Sequence, residues 1–251
     1  MKKTELVCIM CIHNESLNLE MCIKHLNKYV DKFVIFDDES TDNSVEILKK
    51  FPKVKEIISE KQKGKHEWRE RYNRETVLRK AKEISEAAET WVLCIDPDER
   101  FEKRFLRNIR KIIKRNPGKA INVHFRELWD NIYQFRNDGI WNEKSKTLLF
   151  PLSKEMTFDY ENEHHIPWIY RELTSIIYLD YNLYHLKMVK DTDREERKEL
   201  YSKLDPNKVM QPIGYDYLVD INDLSLEKIK YKNRYDYRTV PNYYKEKNNI
   251  I

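Results

Sequence analysis

At 251 residues and 30.7 kDa the chain has room for one domain, or one domain with an appendage. Its 40% hydrophobic and 12% aromatic residues exclude a disordered polymer, and a net charge of +4 is too small an excess for a dedicated nucleic-acid binder. Only four glycines occur (Gly64, Gly118, Gly139 and Gly214), so neither a GxGxxG dinucleotide turn nor a GxxxxGK(S/T) phosphate loop can be written, and any nucleotide must be met by side chains, with or without a metal.

The first element is a buried strand over residues 4–12, built on Leu6-Val7-Cys8-Ile9-Met10-Cys11-Ile12. Met1-Lys2-Lys3 ahead of it mimics a signal peptide, but the apolar run stops at His13-Asn14-Glu15 with no small-residue cleavage site. No stretch approaches the ~18 apolar residues of a membrane span, so the expectation is a soluble protein, at most peripheral to a membrane. Cys8 and Cys11 form a CxxC, yet positions three apart on a strand face opposite ways, and no second pair follows at finger spacing. With Cys22 and Cys94 also in apolar stretches, these read as reduced core thiols of a cytoplasmic protein rather than zinc ligands.

Next, Leu19, Cys22, Ile23 and Leu26 recur at helical spacing behind a cap at Asn14 or Ser16. Phe33-Val34-Ile35-Phe36 is a second strand, stopped by Asp37-Asp38-Glu39-Ser40, and Thr41 or Asp42 caps a helix carrying Val45, Ile47 and Leu48. A third strand spans Val54 to Ile58, and a long helix His66 to Ala88. Trp91 to Ile95 is a fourth strand, apolar on consecutive positions and ended by Asp96-Pro97-Asp98-Glu99. A helical stripe of Phe101, Phe105, Ile109, Ile112 and Ile113 follows, then a strand from Ala120 to Phe125. Such alternation predicts a doubly wound α/β sheet. Beyond it, shorter apolar pieces around Trp129, Trp141, Phe150, Trp168 and Ile176–Leu179 read as strands and loops on the same sheet. Asp191 to Leu204 is a charge-rich helix, and the Tyr-rich segment after Leu218 a tail or an arm over the core.

In an open α/β sheet, ligands sit beyond the carboxyl ends of the strands. Here those ends carry His13-Asn14-Glu15, Asp37-Asp38 and Asp96-Pro97-Asp98-Glu99. Carboxylates gathered at one edge repel each other until protonation, a cation or a basic neighbour relieves them. Oxygen ligands beside a crevice suit Mg²⁺ or Mn²⁺, which also bridges to a diphosphate.

The ordered set resembles glycosyltransferase family 2 with the GT-A fold. Cys11-Ile12-His13-Asn14-Glu15 looks like that family's strand followed by Asn-Glu, and Val34 to Asp42 is similar to its "vvDDgStD" segment, with Glu39 where glycine is usual. Arg71-Tyr72-Asn73 resembles its Arg–Asn pair, and Asp96-Pro97-Asp98 its DxD motif. The resemblance is good over residues 4–105, looser to 188, and absent after that. It implies a GT-A catalytic domain over 1–190, with a Rossmann-like mixed sheet divided into a nucleotide-sugar half (1–105) and an acceptor-side half (106–190), and a helical, irregular extension over 191–251.

The implied activity is transfer of a hexose, with inversion, from a nucleotide sugar (a UDP-sugar) to a glycan or other hydroxyl. Asn14, Glu15, Asp37 and Asp38 would lie against the nucleoside, Arg71 near base or diphosphate, Asp96 against ribose or metal, and Asp98 on the metal, with His185 as a late ligand. Inverting displacement needs a base opposite the leaving group. The cluster Asp159-Tyr160-Glu161-Asn162-Glu163-His164-His165 offers Glu163, with Asp159 behind it; adjacent His164 and His165 would point apart on a strand. Trp129, Tyr133, Phe135 and Trp141 could stack on an acceptor sugar, although aromatics more often fill cores. The basic, Tyr-bearing stretch Lys228 to Lys247 could touch a membrane surface or a nucleic acid. A nucleotidyltransferase is discounted for want of a glycine-rich loop after the first strand; a non-catalytic glycan-binding or scaffold protein of the same fold, or transfer to modified DNA, are the alternatives.

Overall fold

A computed structural model describes residues 4–61, 69–153, 155–158 and 168–246. Strand β1 (Glu5–Ile12) is buried at nearly every position, as a strand covered on both faces must be. Helix α1 (Ser16–Leu26) buries the expected stripe of Leu19, Cys22, Ile23 and Leu26. Strand β2 (Lys32–Asp37), the short helix α2 (Ser44–Leu48) and strand β3 (Val54–Ser59) follow. Helix α3 (Glu70–Glu83) stops before Ala88, and part of its expected start lies outside the described residues.

Strand β4 (Thr90–Cys94) is wholly buried. After the acidic turn the chain departs from its periodicity: Phe101 belongs not to a helix but to strand β5 (Glu99–Phe101), and helix α4 starts only at Lys103, running Lys103–Arg115. The cause is tertiary. Glu99, Arg100 and Phe101 pair antiparallel with His185, Tyr184 and Leu183 of strand β9 (Ile176–His185). Between these lie β6 (Ala120–Glu127), β7 (Gln134–Arg136), α5 (Gly139–Glu143) and β8 (Ser145–Pro151). Helix α6 (Asp191–Leu204), strand β10 (Leu226–Lys228) and helix α7 (Asn242–Lys245) complete the chain.

Eight strands form one mixed sheet in the order β3-β2-β1-β4-β8-β6-β9-β5, and β10 pairs with β7 in a small second sheet. β1 to β4 run parallel, β8 is antiparallel to both β4 and β6, and β6 is parallel to β9. Two reversals restore the direction, so β6 and β9 end at the same edge as β1, β2 and β4, while β8 begins there. On one face Leu6, Cys8 and Met10 pack against α1 and α4; on the other, Val7, Ile9 and Val92 pack against α3 and against Phe158, Trp168 and Tyr170. Cys8 and Cys11 accordingly meet different cores, and all four cysteines are free thiols.

The segment after Leu218 is an arm. Tyr235, Val240 and Tyr244 are buried with Leu128, Ile132 and Tyr184, and the Tyr235 hydroxyl donates to the Ile132 carbonyl at 2.8 Å. Trp129 and Trp141 are enclosed with Met188, Tyr215 and Leu218 and present no sugar platform; Phe135 is buried too, and of the four aromatics singled out in the sequence only Tyr133 is exposed. Among the described residues no helix is long and apolar enough to cross a membrane.

Candidate active site

A cavity of about 680 Å³ opens at the carboxyl ends of β1, β2 and β3, lined by residues that include His13, Asn14, Asp37, Thr41 and Ser59. Its rim is held by hydrogen bonds between the loops that follow β1 and β2. Asn14 takes φ 55, a left-handed conformation that asparagine tolerates well, and its Oδ1 accepts from the Thr41 amide at 2.7 Å and the Asp42 amide at 3.2 Å. Asn14 thus positions the 39–42 loop. Glu39, where the family pattern has glycine, also has a positive φ of 59. Asp42 accepts from the Ser16 and Ser44 amides, both at 2.9 Å, and against the upward pull of burial these bonds lower its pKa to about 2. Asp37 accepts from the Ser40 amide and the Ser59 hydroxyl, while the neighbouring Asp38 is buried and its carbonyl meets His13 Nδ1 at 2.6 Å.

The acidic turn after β4 is fastened differently. Arg100, fully buried, donates to the carbonyls of Pro97 and Glu99 at 2.7 Å each and to Thr239 in the arm at 2.7 Å. The Leu186 amide donates to the Asp98 carbonyl at 2.9 Å. His185 therefore lies beside Asp98: its Nε2 is 3.0 Å from Asp98 Oδ2, and its Nδ1 is 2.5 Å from Glu127 Oε2. Burial alone would lower the pKa of His185, but the two carboxylates raise it to about 10. Burial likewise pushes Asp98 up, and His185, then Arg197 and Lys187, bring it well below the usual carboxylate range.

Asp96 is held by another cation. Lys146, at the start of β8, places Nζ 2.7 Å from Asp96 Oδ2 and 2.5 Å from Glu99 Oε1. Against the cost of burial, Asp96 and Glu99 raise the lysine's pKa, so it stays charged. Glu99, which also accepts from the Asp96 amide at 2.9 Å, is pushed up to about 7, chiefly by burial. Partly buried Glu15 rises to about 8 through burial and the charge of Asp98, and accepts from Asn18 at 3.1 Å.

Of the residues expected from sequence, the structure brings Asp98 and His185 into contact, with Asp96 two residues away on Lys146. Arg71 donates to Glu75 and to the Phe158 carbonyl. Its neighbour one turn on, Arg74, acts on Asp96. Asp159, Glu163, His164 and His165 lie outside the described residues. Sequence reasoning missed Glu127, Lys146, Lys187 and Arg197. Glu127 could have been found by applying the strand-end rule beyond β4. Lys146, a cation opening an otherwise apolar strand, was a weaker signal.

Among the described residues no three His, Cys, Asp or Glu side chains form a ready metal cage. The donor set fits a divalent ion once His185 gives up its Nε2 proton, since a neutral imidazole is the ligand: two ligands at right angles with bonds of ~2.1 Å sit about 3.0 Å apart, as Asp98 Oδ2 and His185 Nε2 do.

The profile of the family described as "Glycosyl transferase family 2" matches residues 7–171. Among solved structures, S. aureus TarS 1-349 in complex with UDP is 15% identical with a TM-score of 0.53, covering 86% of this chain and 69% of that chain. The crystal structure of S. aureus TarS is also 15% identical, at a TM-score of 0.50, and the match takes in 86% of this chain but 42% of TarS. Glucosyl-3-phosphoglycerate synthase from Mycobacterium tuberculosis in complex with Mn²⁺, UDP and glucosyl-3-phosphoglycerate is 14% identical over 49% of this chain and 44% of that one, with a TM-score of 0.32. No curated protein matches the sequence. At these identities the structural likeness is one of fold.

Proposed function

From the premise that this chain belongs to glycosyltransferase family 2 and is an enzyme of the GT-A fold, we propose that it moves a hexose from a UDP-sugar to an acceptor hydroxyl with inversion. The observation that carries the reading is the meeting of Asp98, His185, Glu127, Lys146 and Asp96 at the sheet edge that also opens the 680 Å³ cavity.

The nucleoside enters that cavity, where the loop fixed by Asn14 presents hydroxyls and amides and Asp37 closes the floor, with buried Asp38 behind it. Its diphosphate extends toward the Asp96–Asp98 turn. Leaving-group departure places negative charge there, and groups already charged and oriented stabilise it without reorganising. Lys146, Lys187 and Arg197 supply that charge from this chain. A Mg²⁺ or Mn²⁺ ion held by Asp98 and His185, with Asp96 beside them, would add Lewis-acid stabilisation of the diphosphate. Glu127 holds His185 through Nδ1 and so orients its other nitrogen toward Asp98. On the acceptor side Glu163, backed by Asp159, takes the hydroxyl proton. Residues 1–190 form the transferase body in this reading, and 191–251 the extension that brings Arg197 to it. Four unpaired thiols favour a reducing compartment.

Thermal shift with UDP and Mn²⁺ tests the proposal. A rise in unfolding temperature with UDP that Mn²⁺ enlarges is expected, because a ligand that binds only the native state stabilises it. No shift with any nucleoside diphosphate plus metal would overturn it. A panel of nucleotide sugars, read as metal-dependent hydrolysis, then identifies the donor.

A further inference from the structure

A second cavity, of about 250 Å³, opens on the other face of β6 and β9. Arg126 and Tyr184 line it, and they alternate with Glu127 and His185 along their strands, so the two pairs point to opposite sides of the sheet. Its outer wall is the arm around β10, fixed by the pairing of β10 with β7 and by the Tyr184 hydroxyl donating to the Asn233 carbonyl at 3.0 Å.

Arg126 is the informative group. Its guanidinium is oriented by neutral partners: Nε donates to Asn182 Oδ1 at 3.3 Å, Nη1 to the Asn142 carbonyl at 2.9 Å and Asn142 Oδ1 at 3.2 Å, and its plane lies 5.0 Å from the Phe135 ring centre. Among the described residues no carboxylate stands within ion-pair distance of it. The two acids of the cavity are already paired, Glu227 with Lys230 at 3.1 Å and Asp180 with Arg104 and His124 at 3.8 Å each, and Lys230 and His124 themselves line the cavity. Burial lowers the pKa of Arg126, with the more distant Glu227 only partly offsetting it. A half-buried, pre-oriented guanidinium without a counter-ion favours an anion. Lys232 lines the same cavity with no ion pair among the described residues, and Asn233 Oδ1 is buried without a hydrogen-bond partner.

We propose that this cavity is a second binding site, taking an oxyanion carried on a hydroxyl-bearing body, the chemistry of a phosphorylated or carboxylated sugar. Arg126 and Lys232 receive the oxyanion. Asp180 and Glu227 accept from the hydroxyls, which gives the acids of the wall a role beside the cations.

Calorimetric titration of the full chain with glucose 6-phosphate, glucuronate, glucose and inorganic phosphate tests this, with UDP as the control for the donor cleft. An anionic sugar is expected to bind where glucose does not, and the tighter of the two identifies phosphate or carboxylate as the anchor. Arg126→Met and the exposed Lys232→Glu should each weaken that binding roughly tenfold or more while leaving UDP affinity unchanged. Silence with both anions, equal binding in both variants, or competition by UDP would overturn the site. Inorganic phosphate binding as tightly as the sugar phosphate would overturn its sugar part.

Discussion

Two stretches of the same sheet edge stabilise their carboxylates in opposite ways. Around β1 and β2, Asp37 and Asp42 are satisfied by backbone amides and serine hydroxyls, all neutral donors within the loop geometry they create. Around β4, β6, β8 and β9, Asp96, Asp98, Glu99 and Glu127 are held by charged partners, Lys146, His185 and Lys144. Neutral donors fix shape and have no charge to give to a ligand. Charged partners meet an arriving diphosphate or cation with their full charge already in place. The first stretch is therefore suited to framing a nucleoside, and the second to accommodating changing charge.

The sharpest break in that comparison is chemical. Asp98→Asn should cut transfer about a thousandfold or more with circular dichroism unchanged, since it removes a charge aimed at the leaving group. Wild-type turnover in this variant would take Asp98 out of the site. In stability the expected order is Lys146→Met before Asp42→Asn. Removing the lysine takes the nearest cation from Asp96 and Glu99 and should cost about 3 kcal/mol, the low end for a buried pair because the Asp96 side chain is 40% exposed, whereas the neutral-donor loss at Asp42 should cost about 1–2 kcal/mol. Urea unfolding of the pair measures this, and equal losses would mean that both stretches are solvated alike.

Acidity separates the regions further. His185 rises from 6.5 to about 10 on folding, so its pairing stabilises fully below pH 6.5 and is lost as pH climbs through about 10. Its partners Asp98 and Glu127 are lowered from 3.8 and 4.5, so their share is present above those values and lost on acidification. The unfolding-temperature gap between wild type and His185→Gln should thus peak near pH 4.5 to 6.5 and shrink toward pH 10. Asp42, lowered from 3.8 to about 2, loses its contribution only in acid, so alkaline pH should loosen β9 and not the 39–42 loop in hydrogen exchange. The smallest effect belongs to the loop itself: Glu39→Gly should stabilise by about 0.5–1 kcal/mol, because a side chain at φ 59 is strained where glycine is not. A loss instead would show that the Glu39 side chain makes a contact worth more than the strain.

Much of this architecture was legible in advance, and the reason is local. Consecutive apolar residues marked β1, β2 and β4, the spacing of Leu19 to Leu26 marked α1, and the acidic strand ends pointed to one edge of the sheet. These signals live within one turn of helix or one strand. Phe101 misled because its spacing from Phe105 is helical, while its backbone is claimed by Leu183, 82 positions away. Trp129 and Trp141 have the composition of a sugar platform, and only packing against Met188 and Leu218 shows them enclosed.

Residue order alone was thus enough to place β1, β2, β4, α1 and the carboxylates that end those strands, since hydrophobic period and chain-stopping residues act over a few positions. It was not enough to say what faces those carboxylates. Lys146 lies 50 residues from Asp96, Glu127 58 from His185, and His185 87 from Asp98, and each pairing exists because strand register and the double reversal through β8 bring distant residues to one edge. Coulombic attraction depends on distance in space and is indifferent to distance along the chain, so those partnerships were decided by the folded sheet.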